Sequence, residues 1–241
     1  MSPAPGEGDA PLAFVTAPRH ADAVRRWNHR DVDNRPGTPA AAWAALAEGN
    51  RRFVEGRREH PHADADRRGR LAAAGQTPFA LVFGCSDSRV AAEIVFDRGL
   101  GDLFVVRTAG HVVDTGVLGS IEFGVAVLEV PLVVVLGHDA CGAVKATLEA
   151  HAEGTIPGGY VRNVVELVTP SVLSARRQGI EDVDGVVHEH ARATAELLVE
   201  RSAAIAERVA DGRCAVVAAG YKLADGDVHL LGTPGGLATA V

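Results

Sequence analysis

Two short segments of this 241-residue chain, Cys85-Ser86-Asp87-Ser88-Arg89 and His138-Asp139-Ala140-Cys141, carry residue types that can act together on one metal ion. Two thiolates and one imidazole suit Zn(II), which takes sulfur and nitrogen in tetrahedral geometry and keeps one position open when the site is catalytic. His138 and Cys141 stand three positions apart at the start of a helical turn, so both can face one centre. Cys85 joins them if the two segments are neighbours in space. Taken singly, a cysteine at a strand end is usually a packing residue; the combination points to a metal. The remaining cysteine, Cys214, precedes the apolar stretch 215–219 and reads as a buried strand thiol.

The elements that must position these residues are visible on either side. Cys85 follows the apolar run 79–84 and His138 follows 132–137, so both lie where a strand hands over to a helix, the edge at which open α/β sheets hold their sites. Further strands are predicted at 103–107, 214–221 and 228–231, with helices at 91–96, 117–129 and 143–152 between the earlier ones. Alternating strands and helices give an α/β fold with a mostly parallel central sheet flanked by helices. The Asp- and Gly-rich turn 222–227 joins the last two strands as a hairpin, which makes the edge antiparallel. Trp43, Leu46, Asn50, Phe53 and Val54 repeat at helical spacing, predicting an amphipathic helix from Pro39 to Gly56 that needs a surface to dock on; the expectation is a neighbouring chain. A long helix is predicted over 186–210, with His188 and His190 facing solvent. The polar stretch 57–70, His60 and His62 included, reads as a solvated loop.

Composition bounds the rest. A chain of this length with 47% hydrophobic residues can bury a large core, and we expect one catalytic domain over 38–241 behind a flexible, proline-bearing extension over 1–37 in which Ala21 to Trp27 forms a short helical piece. A net charge of −7 without a basic stripe argues against nucleic acid, and the 27 glycines form no Walker or dinucleotide loop. No apolar run approaches the roughly 20 residues of a membrane helix. The N-terminus lacks a basic start and an apolar core, and three cysteines make no disulfide framework, so a cytoplasmic location is expected.

The Cys85-x-Asp87-x-Arg89 and His138-x-x-Cys141 signatures closely resemble those of the beta-class carbonic anhydrases. The resemblance extends from about Pro39 to Leu231 and includes residues 43–56, 104–110, 119–122 and the strand at Gly220-Tyr221. It implies one zinc ion per chain held by Cys85, His138 and Cys141, reversible hydration of carbon dioxide to bicarbonate and a proton by zinc-bound hydroxide, and a homo-oligomer, dimer or tetramer. Arg89 lies two residues beyond Asp87, near enough to hold its carboxylate by two parallel hydrogen bonds. The resemblance implies that the carboxylate, so held, orients the attacking water, and that a state with Asp87 on the metal also exists in some relatives. It also places Gln76, Phe104, Ala109, Phe123 and Gly142 at the substrate pocket, with a two-fold neighbour completing it.

Three departures matter: Phe123 stands where several relatives have Tyr, Val82 where bicarbonate-inhibited relatives have Trp, and His111 where many have Asn. His111 is expected to be an ordinary hydrogen-bonded loop histidine. Two other readings use the same ligands. One is hydrolysis of carbon disulfide or carbonyl sulfide; the other is a non-catalytic zinc protein that senses bicarbonate.

Overall fold

The computed structural model describes residues 35–234. The extension expected over 1–37 and its helical piece therefore lie outside the described residues, except for 35–37.

β1 (Ala80–Cys85) and β3 (Leu132–His138) are buried at every position, as suits strands covered on both faces. They pair in parallel, β2 (Leu103–Thr108) adds to the free edge of β1, and β4 (Ala215–Tyr221) adds in parallel to β3. β5 (Val228–Gly232) closes the order β2-β1-β3-β4-β5 as the antiparallel edge. The mostly parallel sheet with an antiparallel edge, flanked by helices, is the architecture expected from the sequence.

Successive strand residues point to opposite faces, and each face has its own core. Val82, Leu132, Val134, Leu136 and Val217 meet Ala42 and Leu46 of α1 (Pro39–Val54) on one face, along with Val95 of α3 (Ala92–Val95). Leu81, Phe83, Val133, Val135 and Val216 meet Ile121, Ala191, Leu198 and Ile205 on the other. These come from α4 (Thr115–Glu122), α7 (Val183–Arg201) and α8 (Ala203–Ala210). α5 (Gly142–Glu153) and α6 (Val161–Arg177) pack with the start of α7 in a third core cluster that includes Cys85 and Cys141.

α1 begins at Thr38, whose hydroxyl accepts the Ala41 N–H, with Pro39 at the first position. The docking surface this helix needs is supplied, for Ala42 and Leu46, by its own sheet. Gly49 permits this, because a Cβ there would fall 1.9 Å from the Phe96 carbonyl oxygen. Asn50 then ties three elements together. Its amide donates to the carbonyls of Val95 and Gly226, and its oxygen accepts the Val228 N–H.

Other expectations change in detail. The stretch 57–70 is loop only in its first part. α2 (Ala65–Ala74) starts within it, capped by Asp64, and His62 hydrogen-bonds Asp102. The predicted 186–210 helix breaks at Ser202, whose hydroxyl caps α8 and donates to Glu122. The predicted 117–129 helix ends as a π-helical turn at Phe123–Val127. His190 is buried on α7, not solvent-facing, and His188 is half-buried.

Removing the Asn50 amide leaves two carbonyls and one N–H without partners in a buried place. Asn50→Ala is expected to lower unfolding stability by about 3 kcal/mol in urea titration. A loss near zero would show that water replaces these bonds.

Candidate metal centre

The ligand atoms of Cys85, His138 and Cys141 all lie within 4.8 Å of one another, and all three residues are buried. Cys85 ends β1 and His138 ends β3, so the parallel register brings sulfur and imidazole to one sheet edge. Cys141 is the N-cap residue of α5. The turn that carries it is pinned from two sides: the Ala140 N–H donates to Asp184 of α7, and Asp139 accepts the Leu223 N–H. Ala140 has φ of 50°, a left-handed conformation costing alanine roughly 1–2 kcal/mol, which this pinning sustains.

His138 is oriented for a metal. Nδ1 lies 2.8 Å from the Asp139 carbonyl oxygen, which can only accept, so Nδ1 carries the proton and Nε2 presents a lone pair. That Nε2 is buried and has no hydrogen-bond partner. A buried nitrogen left this way costs about 1–3 kcal/mol unless something binds it. Two cysteine sulfurs stand beside it, and a soft or borderline divalent cation satisfies all three atoms at once. The donor set therefore fits zinc.

The electrostatics agree. Cys85 is pulled below the ordinary thiol range by the hydrogen bond from Cys141, which outweighs burial, with His138 and the Gly110 N–H adding to it. Cys141 is pushed far above the ordinary thiol range, first by Cys85 and then by burial. Burial pushes His138 down, yet the Cys85 thiolate, the Asp139 carbonyl and the Asp87 carboxylate outweigh it, and the net shift is upward. Surroundings that favour a proton on an imidazole also favour a metal cation there.

Asp87 stays outside the ligand cluster. Arg89 donates from Nε to Oδ1 at 2.9 Å and from Nη2 to Oδ2 at 2.7 Å, the parallel clamp expected from the spacing. Its backbone N–H adds a third bond to Oδ1. The Arg89 guanidinium holds the Asp87 carboxyl well below the usual carboxylate range. Oδ2 stands 4.0 Å from His138 Nε2, facing the centre without bonding to that ring.

The chain is similar to known proteins over most of its length. The family model described as carbonic anhydrase matches residues 80–228. Carbonic anhydrase 2 of Mycobacterium tuberculosis is 61% identical over 188 residues, 78% of this chain and 90% of that protein. The carbonic anhydrase of Mycolicibacterium smegmatis is 58% identical over 192 residues, covering 80% and 93%. Among solved structures, a tetrameric beta-carbonic anhydrase from Sordaria macrospora superposes with a TM-score of 0.62 at 25% identity, covering 79% of this chain and 96% of that one. A Coccomyxa beta-carbonic anhydrase in complex with acetazolamide gives 0.62 at 25% identity, covering 79% and 87%. The chain belongs to the beta-class carbonic anhydrases.

Within this carbonic anhydrase, the residues assigned to the substrate pocket are only partly gathered. Phe104 and Phe123 meet, their ring centroids 6.1 Å apart, but Phe123 is 45% exposed. Ala109 follows β2 and Gly142 opens α5 directly after Cys141, both exposed. Gln76 stands exposed before β1, and its side chain makes no hydrogen bond to the cysteines or His138 among the described residues. A cavity of about 370 Å3 lies between α5 and α6, lined by Ala150, His151, Ile156, Val165 and Thr169 among others, and neither the ligands nor the five residues assigned to the substrate pocket line it.

Three supports carry little trace in the sequence. Arg107, opposite Gly84 on β2, donates to the Cys85 and Asp87 carbonyls and fixes the backbone of the first ligand segment. The Gly110 N–H donates to Cys85 Sγ at 3.3 Å. His190 and Ser171 bond to each other, and His190 continues to Gly110. Arg107 carried a signal as a charged side chain ending an apolar strand, and Gly110 lies with it in the 104–110 stretch of the resemblance. His111 is corrected as well: it is fully buried, and neither ring nitrogen has a hydrogen-bond partner.

Cys85→Ala removes a sulfur that the rest of the centre cannot replace, since Cys214 is buried just before β4 among apolar residues of the sheet core. Purified variant protein should hold less than a tenth of the wild-type metal by elemental analysis, roughly the loss seen when metal sites are damaged. Full metal content would place the ion elsewhere.

Proposed function

We propose that Cys85, His138 and Cys141 hold one zinc ion per chain and that Asp87, clamped by Arg89, orients the attacking water in the reversible hydration of carbon dioxide to bicarbonate. The observation that carries this reading is His138 Nε2, buried without a partner between two cysteine sulfurs while Nδ1 is tied to Asp139. When bound, zinc supplies the Lewis acidity that makes a water nucleophilic near neutral pH.

The chain's own groups then have definite roles. Arg89 binds both carboxylate oxygens of Asp87 and would hold that side chain off a bound metal ion. Asp87 Oδ2, ionised throughout the working pH range, accepts a hydrogen bond from the water and turns its lone pair toward the carbon. Arg107 keeps the Cys85-to-Asp87 segment rigid. Phe104 and Phe123 form an apolar wall against which a small apolar gas can rest; with phenylalanine at 123, that wall offers no hydroxyl donor.

A homo-oligomer is part of the proposal, dimer or tetramer. β2 is an edge strand whose apolar residues are only half-buried, and Phe123 and Val127 stand exposed beside it. An uncovered apolar edge of this kind is normally closed by another chain, which would also complete the pocket. No helix among the described residues is long and apolar enough to cross a membrane, and a cytoplasmic enzyme fits the cysteine usage.

Two thiolates offset the charge of Zn(II), so activity should rise with pH beyond the midpoint of about 7 associated with three-histidine carbonic anhydrase centres. Stopped-flow hydration should show that alkaline rise, with no sulfide released from carbon disulfide. Arg89→Ala should cut kcat/KM about 100-fold or more while one zinc remains. An unchanged rate with unchanged coordination would remove the role given to Asp87 and Arg89, and sedimentation of a fully active monomer would remove the shared pocket.

A further inference from the structure

His190 lies on α7, only 3% exposed, and it bridges two elements that the metal centre needs. Its Nε2 is 2.9 Å from the Gly110 carbonyl oxygen, and its Nδ1 is 2.8 Å from Ser171 Oγ on α6. A carbonyl only accepts, so Nε2 carries the proton; Nδ1 is then the acceptor and the Ser171 hydroxyl donates. Burial holds the ring down to about 4, and it stays neutral in this one tautomer. His111 stacks on it at 4.4 Å, closing the ring in.

Gly110 is the other half of the device. Its φ of 62° is left-handed, and a Cβ there would fall 2.6 Å from the Ala143 side chain of α5. This backbone comes that close only as glycine. Its carbonyl is held by His190 while its N–H points at Cys85 Sγ. Fixing one side of so pliable a residue determines where the other side aims.

We propose that His190 and Ser171 are positioning residues that aim the Gly110 N–H at Cys85 Sγ and so set how strongly that thiolate donates to the metal. The inference rests on the zinc-centre reading above. An N–H···S bond withdraws electron density from sulfur, and partners of this kind tune both ligand orientation and metal acidity. Without the anchor, Gly110 relaxes, the sulfur becomes the stronger donor, and the metal polarises water less.

The test compares wild type, Ser171→Ala, His190→Leu and His190→Gln as folded metalloproteins, with cobalt substituted for zinc in parallel samples. His190→Leu and Ser171→Ala should move the sulfur-to-cobalt charge-transfer band to longer wavelength. The pH–rate midpoint should move alkaline by about 0.5 to 1 unit, the size of one net hydrogen bond. His190→Gln keeps an N–H donor toward Gly110 and should return both readouts toward wild type. Band and midpoint unmoved in both disrupting variants, whatever happens to thermal stability, would overturn the proposal, as would a glutamine variant as altered as the leucine one. If His190→Leu does not fold, Ser171→Ala decides alone. Wild type that takes up no metal would overturn the centre itself and this inference with it; loaded, active wild type with unmoved variants overturns the inference only.

Discussion

The parallel pairing of β1 with β3 is the constraint on which everything else depends. Gly84 lies opposite Leu136, so β1 ends at Cys85 and β3 ends at His138, one position further on, at the same edge of the sheet. Strand side chains alternate between faces, so a slip of one residue would turn the core side chains of one strand to the other face. The register is held because both strands are apolar on both faces: Val82 and Val134 pack toward α1, Phe83 and Val135 toward α4 and α7. Fully burying one such side chain contributes about 1.5–3 kcal/mol, and any slip would trade several of these for mismatched contacts. The core therefore fixes the site geometry before any metal is considered.

On that frame, the centre is a concentration of negative charge that one divalent cation resolves. Two sulfurs and a clamped carboxylate stand around a single imidazole nitrogen with no partner, while a backbone carbonyl holds the other ring nitrogen. The positive groups nearby are committed elsewhere: Arg89 to the Asp87 side chain, Arg107 to the Cys85 and Asp87 carbonyls. Neither reaches in to neutralise the thiolates. The arginines shape the backbone and restrain the carboxylate, and the open charge is left for a metal.

The sequence made the strands plain because a parallel sheet covered on both faces needs continuous apolar runs, and 79–84 and 132–137 are such runs. The signature residues were plain for a related reason, since they sit where those runs stop. α6 was not predicted, although Val165, Val168, Val172 and Ala175 keep helical spacing, because Pro170 and a polar exposed face interrupt the pattern. His190 reads as solvent-facing beside Glu189 and Arg192, and only the packing of α6 and of Gly110 against α7 buries it. The docking of α1 on its own sheet depends on Gly49 meeting Phe96, a contact between residues far apart in the chain that local periodicity does not encode.

The most direct measurement of the central claim is zinc K-edge X-ray absorption on the purified, zinc-loaded enzyme. The expected spectrum contains two sulfur scatterers at about 2.3 Å and two nitrogen or oxygen scatterers near 2.0–2.1 Å. One of the light scatterers would be the His138 imidazole, with its characteristic outer-shell pattern, and the other exchangeable solvent. A shell with fewer than two sulfurs, or one without any imidazole contribution, would contradict it.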